Sequence, residues 1–188
     1  MTPLPFSVRS VVFAVFILAV AALLSGVIMG SDWSVRISDT SKYMEIKSPA
    51  FKHNGAIPKT YTCDGENINP PLEISGIPKG TKSLALIVDD PDAPSGLWVH
   101  WTAWNIPATN NTIASGFPLE KATEGITSFG RPGYGGPCPP SGEHRYFLKI
   151  YALDVELALP PDADKEMLEE AIVGHVLDKA EIVGLYER

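Results

Sequence analysis

The sequence predicts a mainly β domain with a small helical element near its C-terminus, preceded by one N-terminal transmembrane helix. Three observations predict this architecture. An uncharged apolar run fills residues 11–30, short apolar runs broken by proline and glycine follow, and a helical period appears at residues 165–172. The 17 prolines and 16 glycines show no repeat, which is typical of turns between short strands.

The run at residues 11–30 has no charged residue and is about as long as a helix that crosses a bilayer core. Arg9 is the only basic side chain before it, and the positive-inside bias therefore places residues 1–10 in the cytoplasm. We expect a signal anchor at 11–30, a linker at 31–43 and an outer domain at 44–188. The protein would then be a single-pass protein of the cell membrane with its domain on the extracytoplasmic side. A cleaved signal peptide is the alternative.

The outer domain begins with a pattern of short strands. Residues 44–47 alternate and suit an edge strand, whereas residues 83–88 form a compact apolar run that suits a buried one. Residues 146–153 are the longest strand candidate of the second half. In residues 99–106, alternation predicts one face with Val99, Trp101, Ala103 and Asn105, and the other face with His100, Thr102, Trp104 and Ile106.

The period changes near the C-terminus. Apolar side chains in Lys165–Ile172 recur at helical spacing, Asp164 can cap the start of this helix, and Gly174 can end it. Residues 176–180 suggest a second helical turn, and residues 181–186 return to a strand pattern.

The charge of the chain limits its partners. There are 22 acidic and 15 basic residues, a net charge of −7. Nucleic-acid binding needs clustered Lys and Arg, so we expect no nucleic-acid partner. A small local anion site remains possible because His side chains and backbone N–H groups can build one.

Two loops stiffened by proline and glycine carry the candidate chemistry. The first spans residues 89–100 and ends in His100; the second spans residues 130–146 and contains His144. Such loops suit a pre-formed pocket for a small ligand. Each His can donate a hydrogen bond to a phosphate and gain charge as it binds. Asp90 would orient and charge a His, or accept a hydrogen bond from a protonated ligand oxygen or a ligand amine. Tyr146 would donate its hydroxyl, and Trp98 would form a wall that favours a cationic or apolar part of the ligand.

The motifs in these loops resemble the phosphatidylethanolamine-binding protein family, in its prokaryotic Raf-kinase-inhibitor-like branch. They are DPDAP at 90–94, WVHW at 98–101, GPCPPSGEHRY at 136–146 and LYE at 185–187, and the resemblance covers residues 44–188. It implies an antiparallel β-sandwich with a surface cavity for phosphate-like anions, including phospholipid head groups. The ligand-binding positions that it implies are Asp90, Pro94, Trp98, His100, Pro137, His144, Tyr146 and Tyr186. The N-terminal anchor departs from the cytosolic pattern of the family, which puts a kinase partner in doubt.

We therefore expect a non-enzymatic binding module for a phosphate-like or phospholipid head-group anion, with no metal and no cofactor. The membrane is a partner through the N-terminal helix. A protein target is the alternative, for example inhibition of a serine protease through a surface loop. A hydrolase is less favoured because no G-x-S-x-G elbow is present.

Cys63 and Cys138 are the only two cysteines. Outside the cytoplasm they can form a disulfide, and two free thiols are the alternative.

Overall fold

The structure, a computed structural model, describes residues 43–116, 119 and 121–188. The predicted cytoplasmic segment 1–10, the signal anchor 11–30 and linker residues 31–42 lie outside the described residues. Among the described residues, no helix is long and apolar enough to cross a membrane.

The described chain folds into two β-sheets and one short α-helix. A three-stranded antiparallel sheet has the order β1 (Glu45–Lys47), β3 (Leu72–Ser75), β6 (Thr112–Ile113). A six-stranded sheet has the order β2 (Gly55–Ala56), β9 (Val176–Glu187), β8 (Glu143–Leu153), β4 (Ser83–Asp90), β5 (Trp98–Pro107), β7 (Thr123–Glu124). Its strands pair antiparallel except β2 with β9. Lys59–Tyr61 is a turn of 3₁₀-helix, and α1 spans Lys165–Ile172.

Two apolar cores cover the two faces of the six-stranded sheet. Leu84, Leu86 and Val88 of β4 point to the first core, where they meet side chains of the three-stranded sheet such as Ile46 and Leu72. The intervening side chains point to the second core. This second core is formed by Ala85, Ile87, Trp104, Leu153, Leu157, Ala163, Leu168 and Ile172. Every residue of β4 is buried because both faces are covered, which explains its continuous apolar run.

The mainly β fold with one small helix among the described residues is confirmed. Helix α1 begins where the spacing predicts, and the Asp164 carboxylate accepts a hydrogen bond from the Met167 N–H at 3.0 Å. The predicted second helical turn at 176–180 is wrong, because these residues are the first part of β9. They pair with β8 as far as Leu153, and the backbone hydrogen bonds of that pairing outweigh the weak local helix propensity.

The simple alternation predicted along β5 is also wrong, because this strand contains two bulges. At the first, Leu84 faces Ile106 but Leu86 faces Ala103, so β5 has one extra residue. Asn105 adopts a positive φ of 56° there, and its side chain bonds both the N–H and the carbonyl of Leu157. Ile106 therefore joins Trp101 and Ala103 in the first core, while Trp104 packs in the second.

Candidate functional site

The second bulge of β5 brings His100 to the end of the first core. Val88 faces Trp101 and Asp89 faces Val99, which leaves His100 as the extra residue. Bulges are a common way to re-aim a side chain next to a site. The His100 ring consequently lies 5.1 Å from the ring of Tyr146, a first-core residue.

Strands β4 and β8 bring further polar groups to the same place. Asp90 ends β4 and continues the side of Leu86 and Val88, while His144 and Tyr146 open the paired strand β8. These side chains surround a cavity of about 420 Å³, a size that suits a small molecule. The cavity is lined by Asp90, Ala93, Pro94, Ser95, Trp98, His100, Phe129, Cys138, Pro139, Pro140, His144 and Tyr146.

His144 and Asp90 form a buried pair. The Nδ1–H of His144 donates to Oδ2 of Asp90 at 2.7 Å, and Oδ1 of Asp90 accepts the Asp92 N–H at 2.8 Å. Both side chains are buried. The carboxylate therefore holds the ring in one orientation, and Nε2 is the nitrogen that the ring can offer to a ligand.

His100 is held by the second loop instead of by a carboxylate. Its Nδ1–H donates to the Gly135 carbonyl at 2.6 Å, and the Gly135 N–H donates to the His100 carbonyl at 2.9 Å. Burial lowers the pKa of His100 below its usual 6.5. The neutral ring is thus favoured in the empty cavity, and an anion beside it would favour the charged one.

Tyr146 contributes a buried hydroxyl that makes no hydrogen bond of good geometry among the described residues, although the Cys138 backbone lies near enough to lower its pKa in part. Burial also raises the pKa of Tyr146, so the hydroxyl keeps its proton. A buried polar group without a partner is unusual in a folded protein. A ligand oxygen in the cavity would satisfy it.

The walls of the cavity are apolar, and ring packing, a disulfide and a hydrogen bond hold them in place. Phe129 packs edge-on against Trp98 and against His100, with each pair of ring centroids 5.5 Å apart. A disulfide joins Cys63 to Cys138 with 5.5 Å between their Cα atoms. The Cys63 N–H also donates to the Pro137 carbonyl at 3.1 Å. The loop that supplies Cys138, Pro139 and Pro140 is therefore fixed to the segment after the 3₁₀ turn.

Asp92 and Arg145, which are sequence neighbours of lining residues but do not line the cavity themselves, form an ion pair. Arg145 donates to both carboxylate oxygens of Asp92, at 2.7 Å and 2.9 Å, and these hydrogen bonds lower the pKa of Asp92 to about 2. Asp92 therefore stays ionised and neutralised beside the cavity. It adds little repulsion toward an incoming anion.

Six of the predicted ligand-binding residues line the cavity: Asp90, Pro94, Trp98, His100, His144 and Tyr146. Two do not. Pro137 is buried behind the wall, where its carbonyl accepts from Cys63, and the Tyr186 hydroxyl donates to Oδ2 of Asp64 at 2.6 Å. Tyr186 shares a register position with His144, but its hydroxyl is engaged outside the lining.

Sequence reasoning missed the remaining lining residues. Pro139 and Pro140 lie in the proline loop and could have been included on that ground. Ala93 and Ser95 flank the named Pro94, whereas Phe129 lies in a loop with no motif and gave no signal. In the part of the chain that the structure describes, no group of three or more His, Cys, Asp or Glu side chains could hold a metal ion.

Known proteins are similar to this chain in both sequence and fold. The family model for phosphatidylethanolamine-binding protein matches residues 47–187. A UPF0098 protein of Methanothermobacter thermautotrophicus is 51% identical over 150 residues, which cover 77% of this chain and 99% of that protein.

Two solved structures are similar. A phosphatidylethanolamine-binding protein homologue of Chlamydia trachomatis has a TM-score of 0.76 and 42% identity, covering 79% of this chain and 99% of its own. The Escherichia coli protein YbcL, described as a member of the mammalian PEBP family, has a TM-score of 0.72 and 32% identity, covering 77% and 98%.

A two-sheet β fold with a small cavity is typical of a binding protein. The chain belongs to the phosphatidylethanolamine-binding protein family.

Proposed function

We propose that the protein is a non-enzymatic binding module for a phosphate-like anion or a phospholipid head group. The N-terminal segment would hold it in the membrane with the cavity domain on the extracytoplasmic side. One observation carries the proposal. Two buried histidines, each with Nδ1 engaged by the protein, and the unpartnered hydroxyl of Tyr146 converge on a single cavity.

This arrangement suits a tetrahedral oxyanion. In their protonated forms the His144 and His100 rings can donate through Nε2–H to ligand oxygens, and the Tyr146 hydroxyl can donate as well. Hydrogen bonds to an ionised acceptor are the stronger kind. Asp90 does not repel the ligand as a bare carboxylate would, since its oxygens accept from His144 and from the Asp92 N–H. The aromatic wall at Trp98 favours a cationic or apolar part of the ligand, such as an amine.

A binding role without turnover fits the nucleophiles present. Cys138 lines the cavity but has no thiol, because it is bonded to Cys63. Ser141 is exposed and outside the lining, on a loop crowded by proline. A serine or cysteine nucleophile needs a base beside it. Ser95 lines the cavity, but no hydrogen bond joins it to a histidine among the described residues.

The disulfide supports the proposed location. Disulfides persist in oxidising compartments and are rare in a reducing cytosol. A Cys63–Cys138 bond that fixes the cavity wall is therefore consistent with a domain outside the cytoplasm.

The test is a titration of the full chain in mild detergent with inorganic phosphate and with phosphoethanolamine, followed by NMR of the histidine rings. We expect saturable shifts of the His100 and His144 signals. Asp90→Asn is expected to weaken binding at least tenfold, because a hydrogen bond that involves a charged group contributes about 1.5–3 kcal/mol.

Asp154→Asn is the matched control. Asp154 forms the same kind of pair with His175, at 2.9 Å, but both side chains are partly exposed and neither lines the cavity. Binding should be unchanged in this variant. If neither cavity histidine responds to either anion, the proposal fails and a protein-interaction role becomes the stronger hypothesis.

A further inference from the structure

The described chain begins at the end of the six-stranded sheet that lies away from the cavity. The Met44 N–H donates to Oδ2 of Asp178 at 2.8 Å, and Asp178 pairs with Ala152. The cavity residue His144 pairs with Tyr186, eight residues later on β9. At about 3.3 Å per strand residue, the point of entry lies about 26 Å from the level of the cavity.

An exposed apolar surface lies at this same end. We name three of its residues the apolar tip: Val173, which caps the end of α1, and Val176 and Leu177, which begin β9. Val173 is 76% exposed and Leu177 is 43% exposed. The local backbone presents them outward: Gly174 has a φ of 81°, and Leu177 is the extra residue of a bulge, because Leu153 faces Val176 while Ala152 faces Asp178.

The apolar tip lies beside the point where the N-terminal tether enters the domain, and this position indicates which surface the tip contacts. The Met44–Asp178 hydrogen bond places Tyr43, itself exposed, at the start of β9 beside the tip. Only 12 residues, 31–42, separate Tyr43 from the uncharged run at 11–30, and they reach at most about 40 Å. Adjacent exposed apolar side chains next to the membrane connection suit a lipid surface.

We propose that the apolar tip rests on the lipid bilayer that holds residues 11–30, so that the cavity opens away from that membrane. This inference rests on the membrane tether of the proposed function. Three aliphatic side chains alone would bind lipid weakly, but a short tether raises the effective concentration of the tip at the surface to the millimolar range. The cavity then takes a soluble anion and not a head group of its own membrane.

The test uses the full chain in phosphatidylcholine nanodiscs with a nitroxide label on an introduced cysteine. In Leu177→Cys the label should be more accessible to oxygen, which partitions into lipid, than to a water-soluble nickel chelate. The matched control is Leu97→Cys, also exposed at 49% but next to the cavity residue Trp98. Its label should show the opposite preference. A Leu177 label in water, or a Leu97 label in lipid, overturns the proposal.

Substitutions within the tip provide a second measurement. With the label at Val176→Cys, adding Val173→Asp should return the label to water, whereas Val173→Ile should leave it in lipid. Both changes are at an exposed position, where substitutions usually have small effects on folding. A label that responds equally to both changes contradicts a lipid contact. Peptide mapping must show that the Cys63–Cys138 bond is intact in each sample.

Titrating the same nanodiscs with phosphoethanolamine separates this inference from the proposed function. Replacing half of the phosphatidylcholine by phosphatidylethanolamine should leave the measured Kd unchanged, because the cavity faces away. Competition by the lipid overturns the orientation and leaves the anion site standing. If the label at the tip lies in lipid but phosphoethanolamine does not bind, the tip contact stands and the proposed anion-binding function is wrong. A full chain that does not enter nanodiscs overturns the tether and the tip contact together.

Discussion

At the scale of single residues, the site depends on two histidines that the protein holds in different ways. His144 shares a buried hydrogen bond with a carboxylate, whereas His100 faces a backbone carbonyl and is desolvated. Burial favours the neutral form of the His100 ring. The site can therefore hold His144 in a fixed orientation while the His100 ring becomes charged as an anion arrives.

The lowered pKa of His100 predicts a pH dependence of stability. The unfolded chain takes up a proton near pH 6.5, whereas the folded chain does so only at lower pH. The contribution of the neutral ring is therefore fully present above pH 6.5. It is lost as the pH falls from 6.5 toward the folded-state pKa, by at most about 1.4 kcal/mol per pH unit.

Urea unfolding at pH 7.5 and pH 5.5 measures this loss. His100→Asn, which keeps an N–H donor for the Gly135 carbonyl, should reduce the difference between the two pH values. His175→Gln, at a partly exposed ion pair, should retain it. Equal pH dependence in wild type and His100→Asn would contradict the assignment to His100.

At the scale of elements, the predictable parts of the fold are those that a periodic pattern specifies. The apolar run of β4 predicts a buried strand, and the 3.6-residue period and the Asp164 cap predict α1. No local pattern predicts the bulges in β5 or the strand at residues 176–180, because both depend on pairing with β4 and β8, which are distant in sequence. The same holds for the residues of the site. Asp90 and His144 lie in motifs that predict them, whereas Phe129 lies in no motif and is brought to the cavity by the fold.

The bulge at Asn105 leads to a testable prediction about the stability of strand β5. Asn105 combines a φ of 56° with two side-chain hydrogen bonds to Leu157. Asn105→Gly loses the bonds but tolerates the backbone, and at about 1 kcal/mol per bond it should destabilise by about 2 kcal/mol. Asn105→Ala adds the left-handed strain of about 1–2 kcal/mol.

We therefore expect the free energy of unfolding to fall in the order wild type, Asn105→Gly, Asn105→Ala. Chemical denaturation of the three proteins measures it. Alanine at least as stable as glycine would show that the backbone relaxes out of the left-handed region and that the side chain alone holds the bulge.

At the scale of the whole molecule, the six-stranded sheet separates stability from binding. The second core, with α1, lies on one face, and the cavity ends the first core on the other. A change under the helix therefore reaches the cavity through the strands that lie between them, β4, β5 and β8. Because packed interiors resist deformation, we expect damage in the second core to lower stability without changing the shape of the cavity.

A pair of substitutions tests this separation. Leu168→Ala removes a fully buried side chain of α1 and should lower the free energy of unfolding by about 2–5 kcal/mol, while the Kd for phosphate of the folded protein stays unchanged. Tyr146→Phe should do the reverse. It removes a buried hydroxyl that has no partner among the described residues, so stability should hold or rise, while binding weakens about five- to tenfold for one lost hydrogen bond. Denaturation and phosphate titration on both variants give four values. If Tyr146→Phe destabilises the protein and leaves the Kd intact, the hydroxyl serves the fold, and the anion site must lie on other donors.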